Sequence, residues 1–272
     1  MGIETHSLFQ SARDCLLSEA VDEKLRLTEL TANAWLAGEL ILAGWTPCES
    51  TIPAGRPQAP ELVHPSRLPR RGLGSEQGRL ALIHAIAHIE FNAINLAWDA
   101  VQRYPEMPRA YYDDWIQVVQ EEVHHFRLLR ERLRAGGAEY GDFPGHNGLW
   151  EMAQRTAHDP LIRMALVPRM LEARGLDVTP GIMRRFEAIG DHETVAVLEI
   201  ILREEVGHVQ FGSRWFHYLC QQRGLDPEQA YFDLLENFLN GEIRCPLHHQ
   251  ARREAGFSEQ ELNRLEALCA QD

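Results

Sequence analysis

Two stretches of the chain repeat one another: Gln120-Glu121-Glu122-Val123-His124-His125 and Arg203-Glu204-Glu205-Val206-Gly207-His208. Both contain Glu-x-x-His, and both lie in segments whose apolar residues recur at helical spacing. One inner stripe reads Trp115, Val118, Glu122, His125, Leu129, Leu133; the other reads Leu198, Ile201, Glu205, His208, Gly212, Trp215, Leu219. An ionised carboxylate among such neighbours costs several kcal/mol unless it is paired, protonated or bound to a cation. The repeat therefore demands a fold that gathers compensating groups around buried charge.

Glu-x-x-His alone is a weak signal. With 28 glutamates and 13 histidines in 272 residues, about one such pair arises by chance, and the chain has four. Glu61/His64 falls among prolines, and Glu121/His124 has no counterpart in the repeat because residue 207 is Gly. In Glu122/His125 and Glu205/His208 the two side chains, three apart on a helix, point the same way and offer one oxygen and one nitrogen to a single point.

Two further helical patterns each place one Glu on an apolar stripe: Glu90 with Ile83, Ala87, Ile94, Ala97 and Val101, and Glu172 with Leu161, Ala165, Pro168 and Leu176. Glu90 precedes Glu122 by 32 residues and Glu172 precedes Glu205 by 33, so the two helix pairs match in spacing as well as motif. The set is Glu90, Glu122, His125, Glu172, Glu205 and His208. Four carboxylates and two imidazoles neutralise two divalent cations and leave coordination positions open. Oxygen-rich, thiolate-free ligation suits two irons or a manganese/iron pair, and zinc binds the same donors by raw affinity.

The rest of the chain is read around these helices. They are expected over about Glu76–Arg103, Pro108–Ala135, Asp159–Ala173 and Asp191–Arg223, with an Asp159-Pro160 start and a Gly136-Gly137 stop. Shorter helices are expected in the second crossover, over Gly141–Thr156 and Pro180–Gly190, and in the tail, near Pro227–Asn240 and Ser258–Ala270. Residues 1–43 form an N-terminal helical appendage, with helices over Ser7–Leu17 and Asp22–Leu42; residues 44–75, with six prolines, form an irregular connector; 76–223 form the bundle, and 224–272 pack on it. No period-2 alternation occurs, so the expected fold class is all-α: a four-helix bundle with flanking helices. Pro168 should kink the third helix, and Gly212 either opens a pocket or permits close packing.

Composition narrows the functional classes. With 27 Lys and Arg against 40 Asp and Glu, the net charge of −13 opposes broad attraction to nucleic acid or anionic lipid. The five cysteines include no CxxC pair, which predicts neither a disulfide framework nor a thiolate zinc site and favours a reducing cytoplasm. No run approaches the roughly 18 apolar residues of a membrane span. His84 and His88 either flank the site or are ordinary satisfied histidines, the His248-His249 pair reads as a surface turn ahead of an adventitious metal clasp, and Arg56, Arg67, Arg70 and Arg71 either dock an anionic substrate or pair with the domain's own acidic surface.

At this point the chain resembles the ferritin-like di-iron carboxylate superfamily, whose bundle carries Glu, Glu-x-x-His, Glu, Glu-x-x-His in that order. The resemblance covers about Glu76–Arg223. Within it, His84-Ala-Ile-Ala-His88-Ile-Glu90-Phe-Asn-Ala-Ile is similar to an uncharacterised bacterial ferritin-like family and, more distantly, to tRNA-hydroxylating di-iron enzymes. Pro-Arg-Arg-Gly-Leu-Gly and Tyr-Gly-Asp-Phe-Pro also resemble the uncharacterised family. The resemblance implies metals bridged by Glu122 and Glu205, with Glu90 and Glu172 more terminal and one histidine on each. It also makes Glu121 and Glu204 candidates for hydrogen bonds to ligating imidazoles.

The leading expectation is an oxygen-dependent oxidoreductase or hydroxylase acting on a small organic substrate, with electrons from a separate donor because the chain has no Gly-x-Gly-x-x-Gly loop and no cysteine-rich module. Iron oxidation for storage or detoxification is the alternative. A tRNA-modifying hydroxylase is the third reading, and the net charge weighs against it. Homodimerisation is compatible with the pattern.

Overall fold

The computed structural model describes residues 6–43, 45, 52–69, 71–239 and 243–269. Pro47, Cys48, Glu49 and Arg70 of the connector, and Asn240 and Ala270 at the ends of two expected helices, lie outside them. The fold is all-α, as expected, and the chain divides into two compact units, residues 1–150 and 151–272.

In the first unit, α1 (Leu8–Leu17) and α2 (Val21–Leu36) precede the long helices α3 (Glu76–Arg103) and α4 (Arg109–Ala135). Helix α2 ends earlier than the expected Leu42 because Gly38 takes a left-handed φ of 74°. Beyond it, Leu40–Ile41 (β2) pairs in parallel with His6–Ser7 (β1), a short ladder that apolar periodicity did not predict. Helix α3 starts where Ser75 Oγ accepts a hydrogen bond from Gly78 N at 3.1 Å, and α4 stops at Gly136, followed by Gly137 at φ 77°. Helix α3 packs against both α1 and α4. It has no unbroken apolar run of membrane-spanning length, yet by length and mean hydropathy it passes for a span; most of that stretch is buried in the protein.

Polar anchors fix the appendage to the long helices. Trp98 Nε1 donates to Thr28 Oγ1 at 2.9 Å, and Trp35 Nε1 to Asp113 Oδ1 at 2.9 Å. The fully buried Lys24 donates to the carbonyls of Cys15 and Leu16 at 2.7 and 2.9 Å, capping the negative end of α1. Burial pushes the Lys24 pKa down to about 7. The connector has no long helix among its described residues, only a 3-10 turn at Pro65–Arg67. It is pinned to the loop after α4 through Val63 N to Gly145 O at 2.9 Å and Gly145 N to Glu61 O at 3.0 Å.

After α5 (Gly148–Arg155), the second unit contains α6 (Pro160–Leu166), a π-helical turn (Val167–Glu172), α7 (Ala173–Glu187) and α8 (His192–Arg223). Asp159 caps α6 as expected, its Oδ1 accepting from Leu161 N at 2.8 Å. The expected helix end at Ala173, followed by a short helix over Pro180–Gly190, is corrected: helical structure runs from Pro160 to Glu187. The wider π turn absorbs the donor missing at Pro168, and α7 continues through Pro180, with Asp177 one turn earlier held by Arg252 at 2.7 and 2.9 Å. Helix α9 (Pro227–Leu239), α10 (His249–Glu254) and α11 (Glu259–Cys269) complete the unit.

A second correction concerns the cysteines. Cys245 and Cys269, 24 residues apart in sequence, form a disulfide with their Cα atoms 5.9 Å apart. The fold-back of α10 and α11 brings them together, which spacing could not show. Cys15 and Cys220 are buried free thiols.

The two helical glycines of α8 differ in kind. A Cβ on Gly212 would stand 2.4 Å from Pro168 Cβ, so Gly212 exists for close packing of α8 on the π turn, whereas a Cβ on Gly207 would meet nothing within 4 Å among the described residues. Gly212→Ala should therefore lose roughly 1–3 kcal/mol through overpacking, and Gly207→Ala should gain up to about 1 kcal/mol from helix propensity. Thermal unfolding of the two variants should shift in opposite directions; shifts of the same sign would refute this reading.

Candidate metal centre

Helices α3 and α4 pack side by side, and their stripes carry Glu90, Glu122 and His125 into the interior. Glu90 is 3 %, Glu122 1 % and His125 0 % exposed. One ligand atom from each lies within 4.8 Å of the others. His125 Nδ1 is 3.3 Å from Glu90 Oε2 and 3.6 Å from Glu122 Oε2. The burial that excludes water also strengthens every charge interaction here. Burial opposes an imidazolium at His125, but the Glu122 and Glu90 carboxylates outweigh it and hold the imidazole protonated far above its ordinary range. Two carboxylates thus compete for one proton-borne charge, an arrangement that favours a cation of higher charge.

The second unit repeats half of this arrangement. On α8, His208 is 0 % exposed and its Nδ1 lies 3.5 Å from Glu205 Oε1, matching the 3.6 Å between His125 Nδ1 and Glu122 Oε2. In both helices the same ring nitrogen faces the carboxylate one turn earlier. Glu172 is the last residue of the π turn, on the segment that Pro168 packs against Gly212. π turns reorient the side chains that follow them and recur at functional sites.

The turn is held by Arg169, which the sequence reading passed over. Its guanidinium is fully buried, donating through Nε to Ser213 Oγ at 3.0 Å and through Nη2 to Glu261 Oε1 at 2.9 Å. The rings of Tyr231 and Phe257 lie 4.5 Å from its Cζ and that of Phe216 5.0 Å away. Tyr231 Oη donates to the Arg169 carbonyl at 3.2 Å, satisfying a backbone group in the π turn. An arginine within the apolar run Met-Ala-Leu-Val-Pro-Arg-Met-Leu was the signal that could have revealed it.

Glu121 and Glu204 engage neighbours on their own helices, Gln117 Nε2 at 2.9 Å and Arg203 Nη2 at 3.0 Å. His248 caps α10 by accepting from Ala251 N at 3.1 Å, and His249 pairs with Glu266, so the pair serves as a surface turn.

His84 and His88 tie the loop after α4 to α3. His84 Nε2 accepts from Gly141 N at 2.9 Å, and its ring stacks on Tyr140 with centroids 5.2 Å apart. His88 Nδ1 meets Tyr140 Oη at 2.9 Å and its Nε2 the His146 carbonyl at 3.1 Å. A Cβ on Gly145 would stand 2.6 Å from His88 Nε2, so only glycine lets the loop close on the ring. Burial, with His88 and Arg71 nearby, pushes the His84 pKa down to about 4. The folded protein therefore prefers neutral His84: its contribution is complete above the unfolded value near 6.5 and is lost as pH falls towards 4. Between pH 7 and pH 5, His84→Gln should lose about 2 kcal/mol less stability than the wild type. Denaturant unfolding at the two pH values measures the difference; identical losses would refute the assignment.

A family model described as "Protein of unknown function (DUF455)" matches residues 17–263, a span containing all six candidate ligands. An uncharacterised protein of Haemophilus influenzae is 46% identical over 217 residues, covering 77% of this chain and 75% of the relative. No solved structure matches the chain. The match along nearly the whole length, together with that relative, establishes that the chain belongs to the DUF455 family.

Proposed function

We propose that Glu90, Glu122 and His125 of the first unit and Glu172, Glu205 and His208 of the second serve one dimetal carboxylate centre in a ferritin-like bundle. The observation that carries this reading is the matched pair of half-sites: in each, a buried histidine directs Nδ1 at the carboxylate one turn earlier, at 3.6 and 3.5 Å. Ordinary core packing gives no reason for the same charged pair on two helices in the same geometry. The donor set fits the group, since four carboxylates balance two divalent cations and two imidazoles add neutral nitrogen ligands. Two irons, or manganese and iron, would supply redox chemistry towards dioxygen when bound, and the reaction we assign is oxidation or hydroxylation of a small organic molecule.

The chain's own residues prepare that chemistry. Phe91 and Phe126, next in sequence to Glu90 and His125, pack with Tyr140 at centroid distances of 5.0 to 5.5 Å and lock α3, α4 and the loop after α4 together. The near-complete burial of Glu90, Glu122, His125 and His208 excludes bulk water and keeps their charges unscreened. The Arg169 cage holds the turn from which Glu172 projects, so that one ligand is oriented by contacts outside the donor set.

Metal analysis of protein prepared with iron or with manganese should find about two metals per chain. Glu122→Ala and His208→Ala should each lower this to about one or fewer while the far-ultraviolet circular dichroism stays helical. After anaerobic loading with ferrous iron, the wild type should consume dioxygen on exposure to air, and the variants should consume less. Absence of stoichiometric metal from the wild type, or unchanged content in both variants, would overturn the assignment.

A further inference from the structure

The second unit has a partly open cavity of about 320 Å³ lined by the π turn and C-terminal residues, within the range of small-molecule sites. Met170 and Leu171, from the π turn, together with Ile243 and Leu265, give it an apolar wall. Three arginines, Arg174, Arg244 and Arg252, also line it. Arg252 is 5 % exposed and is consumed by Asp177, to which it donates twice at 2.7 and 2.9 Å. Asp177 accepts a further bond from His248 N at 2.8 Å, and Arg174 Nη1 lies 3.6 Å from it. Among the described residues, one carboxylate against three arginines leaves two positive charges at the cavity.

Arg174 is preset. Its Nη1 donates to the Arg244 carbonyl at 2.8 Å and to the Pro246 carbonyl at 3.3 Å, which fixes the guanidinium and leaves its other nitrogens free of those bonds. Arg244 is exposed and stands on the segment whose carbonyl Arg174 holds. Tyr231 contributes ring surface only, because its hydroxyl is spent on the Arg169 carbonyl. The acidic residue nearest in the cage, Glu261, is neutralised by Arg169 at 2.9 Å.

We propose that this cavity binds a small anionic amphiphile, with its carboxylate or phosphate head between Arg174 and Arg244 and its apolar chain against Met170, Leu171, Ile243 and Leu265. Guanidinium groups bind a carboxylate or a phosphate through paired N–H···O hydrogen bonds, and neither the wall nor the head-group pocket requires the metal centre. The inference therefore stands apart from the redox reading.

Isothermal titration of the full-length protein with octanoate, octyl phosphate and octan-1-ol tests it. At least one of the two anions should bind saturably at one site per chain, and the uncharged octan-1-ol about tenfold or more weakly. The tighter anion identifies the head group as carboxylate or phosphate. Arg244→Gln, at an exposed position that leaves the fold intact, and Arg174→Gln should each weaken that binding by about tenfold. Absence of binding by both anions, binding of octan-1-ol equal to theirs, or wild-type affinity in both variants would overturn the proposal.

Discussion

A carboxylate that folding removes from water must be given a partner, and the interior of this protein is organised around that requirement. Glu90 and Glu122 are nearly inaccessible on helices otherwise lined by Ile, Ala, Val and Leu, and His125 stands between them. Their mutual attraction offsets desolvation only while α3 and α4 stay in register, so the rest of the first unit serves that register. Lys24 ends α1, the tryptophans of α2 and α3 bond across the helices, and His84 and His88 hold the following loop. These hydrogen bonds, made across the fold, offset part of the cost of burying α3 with its His, Asn, Asp and Gln side chains.

The second unit meets the same requirement with an irregular helix. Proline at 168 removes a backbone donor, and the chain widens into a π turn ending on Glu172. Such a turn is stable only when its loosened groups find partners. Gly212 lets α8 approach the proline ring, Tyr231 bonds the Arg169 carbonyl, and the Arg169 side chain is clasped by Ser213, Glu261 and three aromatic rings. Residues from α9 and α11 thereby support a turn far away in sequence. The C-terminal helices are consequently part of the support for a candidate ligand, and the cavity between them and the π turn lies against the same segment.

Much of this was legible in the chain itself. Apolar periodicity placed α3 at its observed limits, and the caps at Asp159 and Gly136-Gly137 fell where local chemistry required them. The stripes correctly put Glu90, Glu122, His125 and His208 inside, because burial on a helix follows from spacing. The continuation of α7 through Pro180, the Cys245–Cys269 pair and the Arg169 cage were not legible, since each depends on residues distant in sequence.

The amino-acid sequence by itself determined an all-α chain with two matched sets of charged residues on apolar helical faces, because helical period and capping are local properties. Only the tertiary structure decided that Gly212 serves contact rather than access and that His84 and His88 bind a loop. It also decided that three arginines converge on one cavity. Those outcomes depend on which atoms meet across the fold, and a charge or a missing side chain takes its meaning from the neighbour it is packed against.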